Sequence, residues 1–296
     1  MVKEIKRKEH PVLLVDCGGF FSERFIGKKG KFITDRGLKA ANLMGYAAMN
    51  VSPGEFSLGI DFLREQTSNL SFPLVASNLT YAEGIIPFTK RYVIVEAGDQ
   101  RVAILGVMPL GIIEKMPRSG VAGVVEVIPP DKALASLLPG ITQEADMVIL
   151  LSQLGQEWTQ HLVDTVEGID IAIYGGKENA PAGCGENVQA SSSGNGPQIP
   201  VLKANAKGSF LGYTKLSADG AGRITADSTS MIYLDEAVPM DEGIIAITGT
   251  DIKKLVAEER KKAAAKKERE IEKLQKLTPE EYMQKLLREQ KGENKQ

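Results

Sequence analysis

The chain has 296 residues, 43% apolar and 25% charged, with 36 Lys/Arg against 38 Asp/Glu and a formal charge of −2. That is globular composition with length for a large core, and the near-neutral charge argues against nucleic-acid binding by the whole chain. No apolar run approaches the ~20 residues that span a bilayer. Two cysteines far apart, with no CxxC spacing, exclude a disulfide framework and a Cys-based zinc site, and two histidines, His10 and His161, are too few for a site needing three.

Taken in chain order, strand-like and helix-like segments alternate to about residue 235. The basic start MVKEIKRKEHP has no apolar segment of signal-peptide type behind it, so the chain as written reads as cytoplasmic. VLLVD (12–16) is an apolar run stopped by Cys17, Gly18 and Gly19, which suits a strand buried on both faces. Ligands in open α/β sheets gather beyond the carboxyl ends of such strands, which places Asp16, Cys17 and Gly19 at a candidate site. DRGLKAANLMG (35–45) predicts a helix ending at Gly45, and AAMNV (47–51) a strand. FSLGIDFLREQ (56–66) has helical apolar spacing at Phe56, Ile60 and Leu63.

PLVASNL (73–79) predicts a strand, and RYVIVEAGDQRVAILGV a hairpin turning at Gly98-Asp99. A helix over 131–138 has Asp131 as its N-cap. Strand MVILLS (147–152), helix QEWTQHLVDTV (156–166) and strand IDIAIYG (169–175) follow. A Gly/Ser/Asn/Pro-rich loop fills 180–200, and strands are predicted over 199–205, 211–218 and 228–234. Residues 251–296 carry 14 Lys/Arg against 10 Asp/Glu. Their alanine-rich, charge-interspersed run predicts a helix, and Thr278-Pro279-Glu280-Glu281 the start of another. The boundary falls at 249/250, giving a 1–249 domain and a 250–296 charged helical tail. The tail is a solvated arm or a docking surface for a protein partner through 251–290.

No P-loop, GxGxxG, HExxH or GxSxG pattern occurs. Four loops taken together carry a resemblance: DCGGFF (16–21), GYAAMNVSPGEF (45–56), ADMVILLSQLG (145–155) and GIDIAIYGGKEN (168–179). In order and spacing they are similar to D-A-G-D-F-F, G-Y-D-A-V-N-L-G-N-H-E-F, A-D-V-I-I-V-L-S-H-L-G and G-I-D-V-I-I-G-G-H-T-H of the 5′-nucleotidase branch of the calcineurin-like metallophosphoesterases. The resemblance covers about residues 2–245. It extends to a subgroup described as selenoprotein-like, and it implies a bacterial chain.

The resemblance implies a four-layer α/β/β/α sandwich of mixed sheets, with two metal ions at the strand ends for an in-line displacement on phosphorus. The family's ligand positions are substituted here. Its bridging Asp falls on Gly19, its Asn-His pair on Pro53 and Gly54, and a His on Gln153. Its last two His fall on Gly176 and Glu178, or on Lys177 and Asn179 with a one-residue slip. Glycine and proline offer no ligand and Lys177 repels a cation. The implication is a phosphatase-inactive binding or redox-associated protein, holding no metal and no cofactor, with a small phosphate-containing molecule as its candidate ligand. A hydrolase with a residual or shared site, and a structural partner docking through the tail, are the alternatives.

The first strand of the family is missing. The sheet edge is then repaired, or the true start lies upstream of Met1, which reopens export to the periplasm. Cys17 reads either as a buried small hydrophobe or as a redox thiol with a lowered pKa facing Lys177, with Cys184 within reach. Asp16 and Glu55 survive from the family pattern and are expected to hydrogen-bond loop amides. His161 reads as a surface residue, Trp158 as packing. The loops at 17–20, 52–55, 153–155 and 175–179 are expected to converge on an open cleft lined with backbone amides.

Overall fold

The structure, a computed structural model, describes residues 1–21, 27–110, 120–175, 199–204, 208, 210–220, 223–235 and 238–249, and the single positions 261, 264, 265, 268 and 272. Its elements run α1 (Val2–Lys8), β1 (Val15–Asp16), α2 (Gly27–Met44), β2 (Ala48–Asn50), a 3-10 turn (Pro53–Leu58), α3 (Ile60–Thr67), β3 (Leu74–Val75), β4 (Leu79–Tyr81), β5 (Tyr92–Ala97), β6 (Gln100–Val107) and β7 (Val125–Val127). They continue with α4 (Pro130–Glu144), β8 (Met147–Ser152), α5 (Gly155–Thr165), β9 (Ile171–Tyr174), β10 (Val201–Lys203), β11 (Phe210–Ala218) and β12 (Ile224–Tyr233). The chain divides into two compact units, Met1–Ile244 and Ile245–Gln296. Every described residue of the second unit is helical.

Period-two alternation builds the layers of the first unit. One sheet has the order β1-β2-β3, all parallel; a second has the order β10-β9-β8-β6-β5, parallel except for β5. Met49, Val51, Leu74 and Ala76 face α2 and α3, where Leu38, Ala41, Ile60 and Leu63 complete one core. Ala48 and Val75 face the other way and meet Val102, Ile104, Ile149, Leu151 and Ile171 between the sheets. Ala103, Leu105, Val148 and Leu150 face outward onto Leu134, Leu138, Ile141, Leu162 and Val163 of α4 and α5. Helices, sheet, sheet, helices is the four-layer order that the resemblance implies. The mixed second sheet and the β5–β6 hairpin, turning between Ala97 and Gln100, follow the sequence reading.

The differences have local causes. The 56–66 helix is broken in two because Gly59 takes φ +92°, a conformation that L side chains rarely adopt. Helix α2 starts eight residues early, and its internal Gly37 leaves room for the Phe20 ring, to which a Cβ would come within 3.0 Å. Gly45 ends α2 at φ +68°, as predicted. Lys6 Nζ adds donors to the Met44 and Gly45 carbonyls at 3.2 and 2.7 Å, a favourable charge at a helix C-terminus. Helix α4 is capped from Pro129 with no side-chain bond, so Asp131 lies inside its first turn and is not the N-cap. The three-residue strands β4 and β7 pair with each other antiparallel and were too short to read. Strand β1 pairs on its β2 side alone among the described strands, and β11 with β12 forms a separate ribbon. No helix among the described residues is long and apolar enough to cross a membrane.

Close packing between the sheets gives one firm expectation. A Cβ on Gly106 would lie 2.3 Å from Asn50 Oδ1 and 2.8 Å from the Val75 carbonyl oxygen. Neither atom can retreat through a filled core, so Gly106→Ala is expected to lose about 3 kcal/mol in urea unfolding. A loss below about 1 kcal/mol would mean that the two sheets are not packed this closely.

Candidate functional site

The ends of β1, β2, β8 and β9 bring together the loops after β1, β2 and β8 and, after β9, Gly175. Asp16 ends β1, and its Oδ1 accepts the Gly18 N–H at 2.8 Å, a short Asx-type turn. Gly18 has φ +91°, and a Cβ there would lie 2.6 Å from the Asn50 carbonyl oxygen, so the turn requires glycine. After β2, Ser52 and Glu55 form a capping box around the 3-10 turn, with Pro53 at its first position. Gln153, just after β8, donates its Nε2–H to the Cys17 carbonyl at 2.6 Å. After β9, a Cβ on Gly175 would sit 3.3 Å from both Cys17 Cβ and Gln153 Nε2.

Glu55 is the centre of this arrangement and has no solvent exposure. Its Oε2 accepts from Ser52 N at 2.7 Å, Ser52 Oγ at 2.5 Å and Gly19 N at 3.1 Å; its Oε1 accepts from Phe21 N at 3.2 Å. Burial pushes its pKa up, and the hydrogen bonds from Ser52, Phe21 and Gly19 pull the other way. Asp16 is half-buried. Its carboxyl is pushed up to about 6, mainly by burial and further by the charge of Glu55, against the Gly18 hydrogen bond. Both acids bond loop amides, as the sequence predicts.

Two residues that the sequence reading did not single out hold the site. Asn50 Nδ2 donates to the Val107 and Leu151 carbonyls at 3.0 and 3.1 Å, tying β2 to the ends of β6 and β8 across the inter-sheet layer. Its Oδ1 is buried with no hydrogen-bond partner among the described residues, close against Gly106. A polar residue in an otherwise apolar strand was its signal. Ser52 was legible in the S-x-x-E spacing of Ser52 and Glu55, which marks a capping box.

The reactive-thiol reading of Cys17 needs correction. Its side chain is 4% exposed, and Sγ donates to the Ile173 carbonyl at 3.2 Å. Burial first, and then the charge of Asp16, raise the thiol pKa well above the ordinary range. The small-hydrophobe reading describes it. Labelling of Cys17 by iodoacetamide at neutral pH, followed by peptide mass spectrometry, is expected to be about 100-fold or more slower in the native protein than in urea. Comparable rates would restore the nucleophile.

Trp158 is also corrected. It is 64% exposed and meets the equally superficial His161 edge-on at 5.8 Å. The open amide-lined cleft is not what forms at 52–55: the Gly19, Phe21 and Ser52 amides turn onto Glu55. Gly176, Lys177, Asn179 and Cys184 lie outside the described residues.

The fit of this site to a pair of metal ions can be judged from its donors. Gly19, Pro53 and Gly54 carry no side-chain ligand atom, and both Glu55 oxygens are filled by protein N–H and O–H groups. Gln153 is turned to a carbonyl through its nitrogen. No group of three or more His, Cys, Asp or Glu among the described residues could hold a metal ion. Among the described residues the donors present do not fit a dinuclear centre; positions 176–179 lie outside them.

No protein-family model matches the chain. It is 26% identical over 266 residues to a 5′-nucleotidase of Bos taurus, covering 83% of this chain and 44% of that protein. To a snake venom 5′-nucleotidase of Crotalus adamanteus it is 25% identical over 262 residues, covering 83% and 43%. Among solved structures, it superposes on a 5′-nucleotidase precursor from Thermus thermophilus with TM-score 0.71 at 20% identity, over 86% of this chain and 52% of that one. It superposes on the calcineurin-like phosphoesterase YfkN from Bacillus subtilis with TM-score 0.63 at 23% identity, over 83% and 85%. The fold is that of the calcineurin-like metallophosphoesterases. Within that fold the chain is similar to the 5′-nucleotidases, and it spans less than half the length of the curated relatives it matches.

Proposed function

We propose that this chain keeps the 5′-nucleotidase-like fold as a binding protein and does not hydrolyse phosphoesters by the two-metal route. The observation that carries the reading is that Gly19, Pro53 and Gly54, where the resemblance places the family's ligands, offer no side-chain donor, while the retained carboxylate of Glu55 is filled by four donors from the 17–21 loop and the 52–55 turn. A two-metal displacement needs carboxylate, amide and imidazole groups free to coordinate. The buried, high-pKa Cys17 argues against a redox role for that thiol and leaves binding as the favoured half of the reading. What is bound is a small phosphate-containing molecule at the loop cluster, or a protein through residues 251–290.

The test is elemental analysis of the purified chain, together with turnover of nucleoside monophosphates and p-nitrophenyl phosphate in added Mn²⁺ or Zn²⁺. The expected result is substoichiometric metal and no turnover above buffer. Stoichiometric metal with turnover would overturn the reading in favour of a hydrolase.

A further inference from the structure

Two glycines at the site stand in different surroundings. A side chain at Gly19 would start in ordinary van der Waals contact without overlap: its Cβ comes no nearer than 3.7 Å to Ser52 Oγ and 4.0 Å to Gln153 Nε2. Gly19 is exposed, and its φ of +79° is one that Asp and Asn enter more readily than other side chains. Gly54 has no such room. Its Cβ would lie 2.7 Å from the Phe21 carbonyl oxygen and 3.5 Å from Ser52 Oγ.

The Phe21 peptide is held in that place from two sides. Its N–H donates to Glu55 Oε1 at 3.2 Å. Its ring is 4% exposed and packs beside Phe62, centroids 6.4 Å apart. Retreat from residue 54 would give up the hydrogen bond or the ring packing. On the other side, the capping box fixes the 53–58 turn through Ser52 and Glu55, and Gly54 N–H itself donates to Ser52 Oγ at 3.2 Å.

We infer that the 17–21 loop has closed onto the 52–55 turn, sealing the position where the family carries a histidine while leaving the bridging-aspartate position open. The absence of a metal centre is then built into the backbone path. Restoring ligand identities one at a time recovers position 19 and not position 54. The inference rests on the proposed function only in taking residues 19 and 54 as the family's ligand positions.

The test compares melting temperatures of Gly19→Asp, Gly54→Ala and Gly54→His, the alanine variant isolating the first side-chain atom. Gly19→Asp is expected to melt within about 4 °C of the parent chain, and Gly54→Ala about 5–10 °C below it, with Gly54→His lower still or insoluble. Three results would overturn the closure: Gly54→Ala melting with the parent, Gly19→Asp falling as far as Gly54→Ala, or Gly54→His folding and gaining stability with Mn²⁺ or Zn²⁺. Phosphatase turnover by the parent chain would sink the proposed function without touching this comparison. A tolerated side chain at 54 would sink the closure without making the parent a phosphatase.

Discussion

Glu55→Ala is expected to lower the stability of the first unit by about 3–5 kcal/mol in urea unfolding, a large share of the ~5–15 kcal/mol of an ordinary domain. The substitution removes the acceptor for three backbone N–H groups and one hydroxyl, all from two loops that meet at that carboxylate. A buried donor left unpaired costs about 1–3 kcal/mol. The sum is not four times that, because Gly19 is exposed and its N–H can return to water. Phe21 N and Ser52 N lie beside the buried Phe21 and Ser52 side chains and recover less. Glu55→Gln keeps one acceptor oxygen and turns an NH₂ toward other donors, so an intermediate loss of about 2 kcal/mol is expected. Glu65→Ala, at an exposed position of α3, serves as the control and should stay within about 0.5 kcal/mol. If Glu55→Ala unfolds within about 1 kcal/mol of the parent, the carboxylate does not organise these loops.

The layers were legible because the central strands are continuous apolar runs. In MVILLS, Val148 and Leu150 face the helices while Ile149 and Leu151 face the opposite sheet, so both faces demand apolar residues. Convergence of the strand ends was legible for the same reason: parallel strands that share a core end side by side. What the sequence could not carry was the backbone path between those ends. Positive φ at Gly18 and Gly19 and the approach of the Phe21 carbonyl to Gly54 depend on tertiary contacts, which no periodicity records. Cys17 was ambiguous for a related reason. A thiol at a strand end is reactive or inert according to its neighbours, and here they are the Ile173 carbonyl and the Asp16 carboxyl. Helix α2 was read short because GKKGKFIT resembles a loop in composition, although Leu38 and Ala41 anchor the helix to the core.

Closure and convergence have different physical origins. Burial between the sheets, about 25 cal/mol per Å² of apolar surface, holds the strand ends together whether or not a ligand is present. Asn50 adds a polar tie between β2, β6 and β8, and a buried amide donating two hydrogen bonds is costly to displace. The loops then have few positions left, and the Glu55 carboxylate selects one of them.

Asp16 supplies the second large effect, in the dependence of stability on pH. Its folded pKa is pushed up to about 6, against about 3.9 for an unperturbed aspartate. The folded state therefore binds the proton more tightly than the unfolded state. The resulting stabilisation is fully present below about pH 4 and is lost as pH rises through about 6. Two pH units correspond to about 3 kcal/mol at full burial; Asp16 is half-buried, so about 1–2 kcal/mol is expected. The raised pKa of Glu55 acts with the same sign. Asp146 and Asp241, held below the usual range by Arg101 and Lys3, act oppositely and withdraw their stabilisation in stronger acid. The unfolding midpoint should therefore rise as pH is lowered from 7.5 toward about 5, then fall below about 4. Asp16→Asn keeps an acceptor for the Gly18 N–H and removes the charge. It is expected to be more stable than the parent by about 1–2 kcal/mol at pH 7.5, to match it near pH 4, and to flatten the rise between them. Urea unfolding at the two pH values decides the matter. A variant less stable than the parent at pH 7.5 would mean that the ionised Asp16 carboxylate is needed by the turn, and that its burial is not the dominant effect.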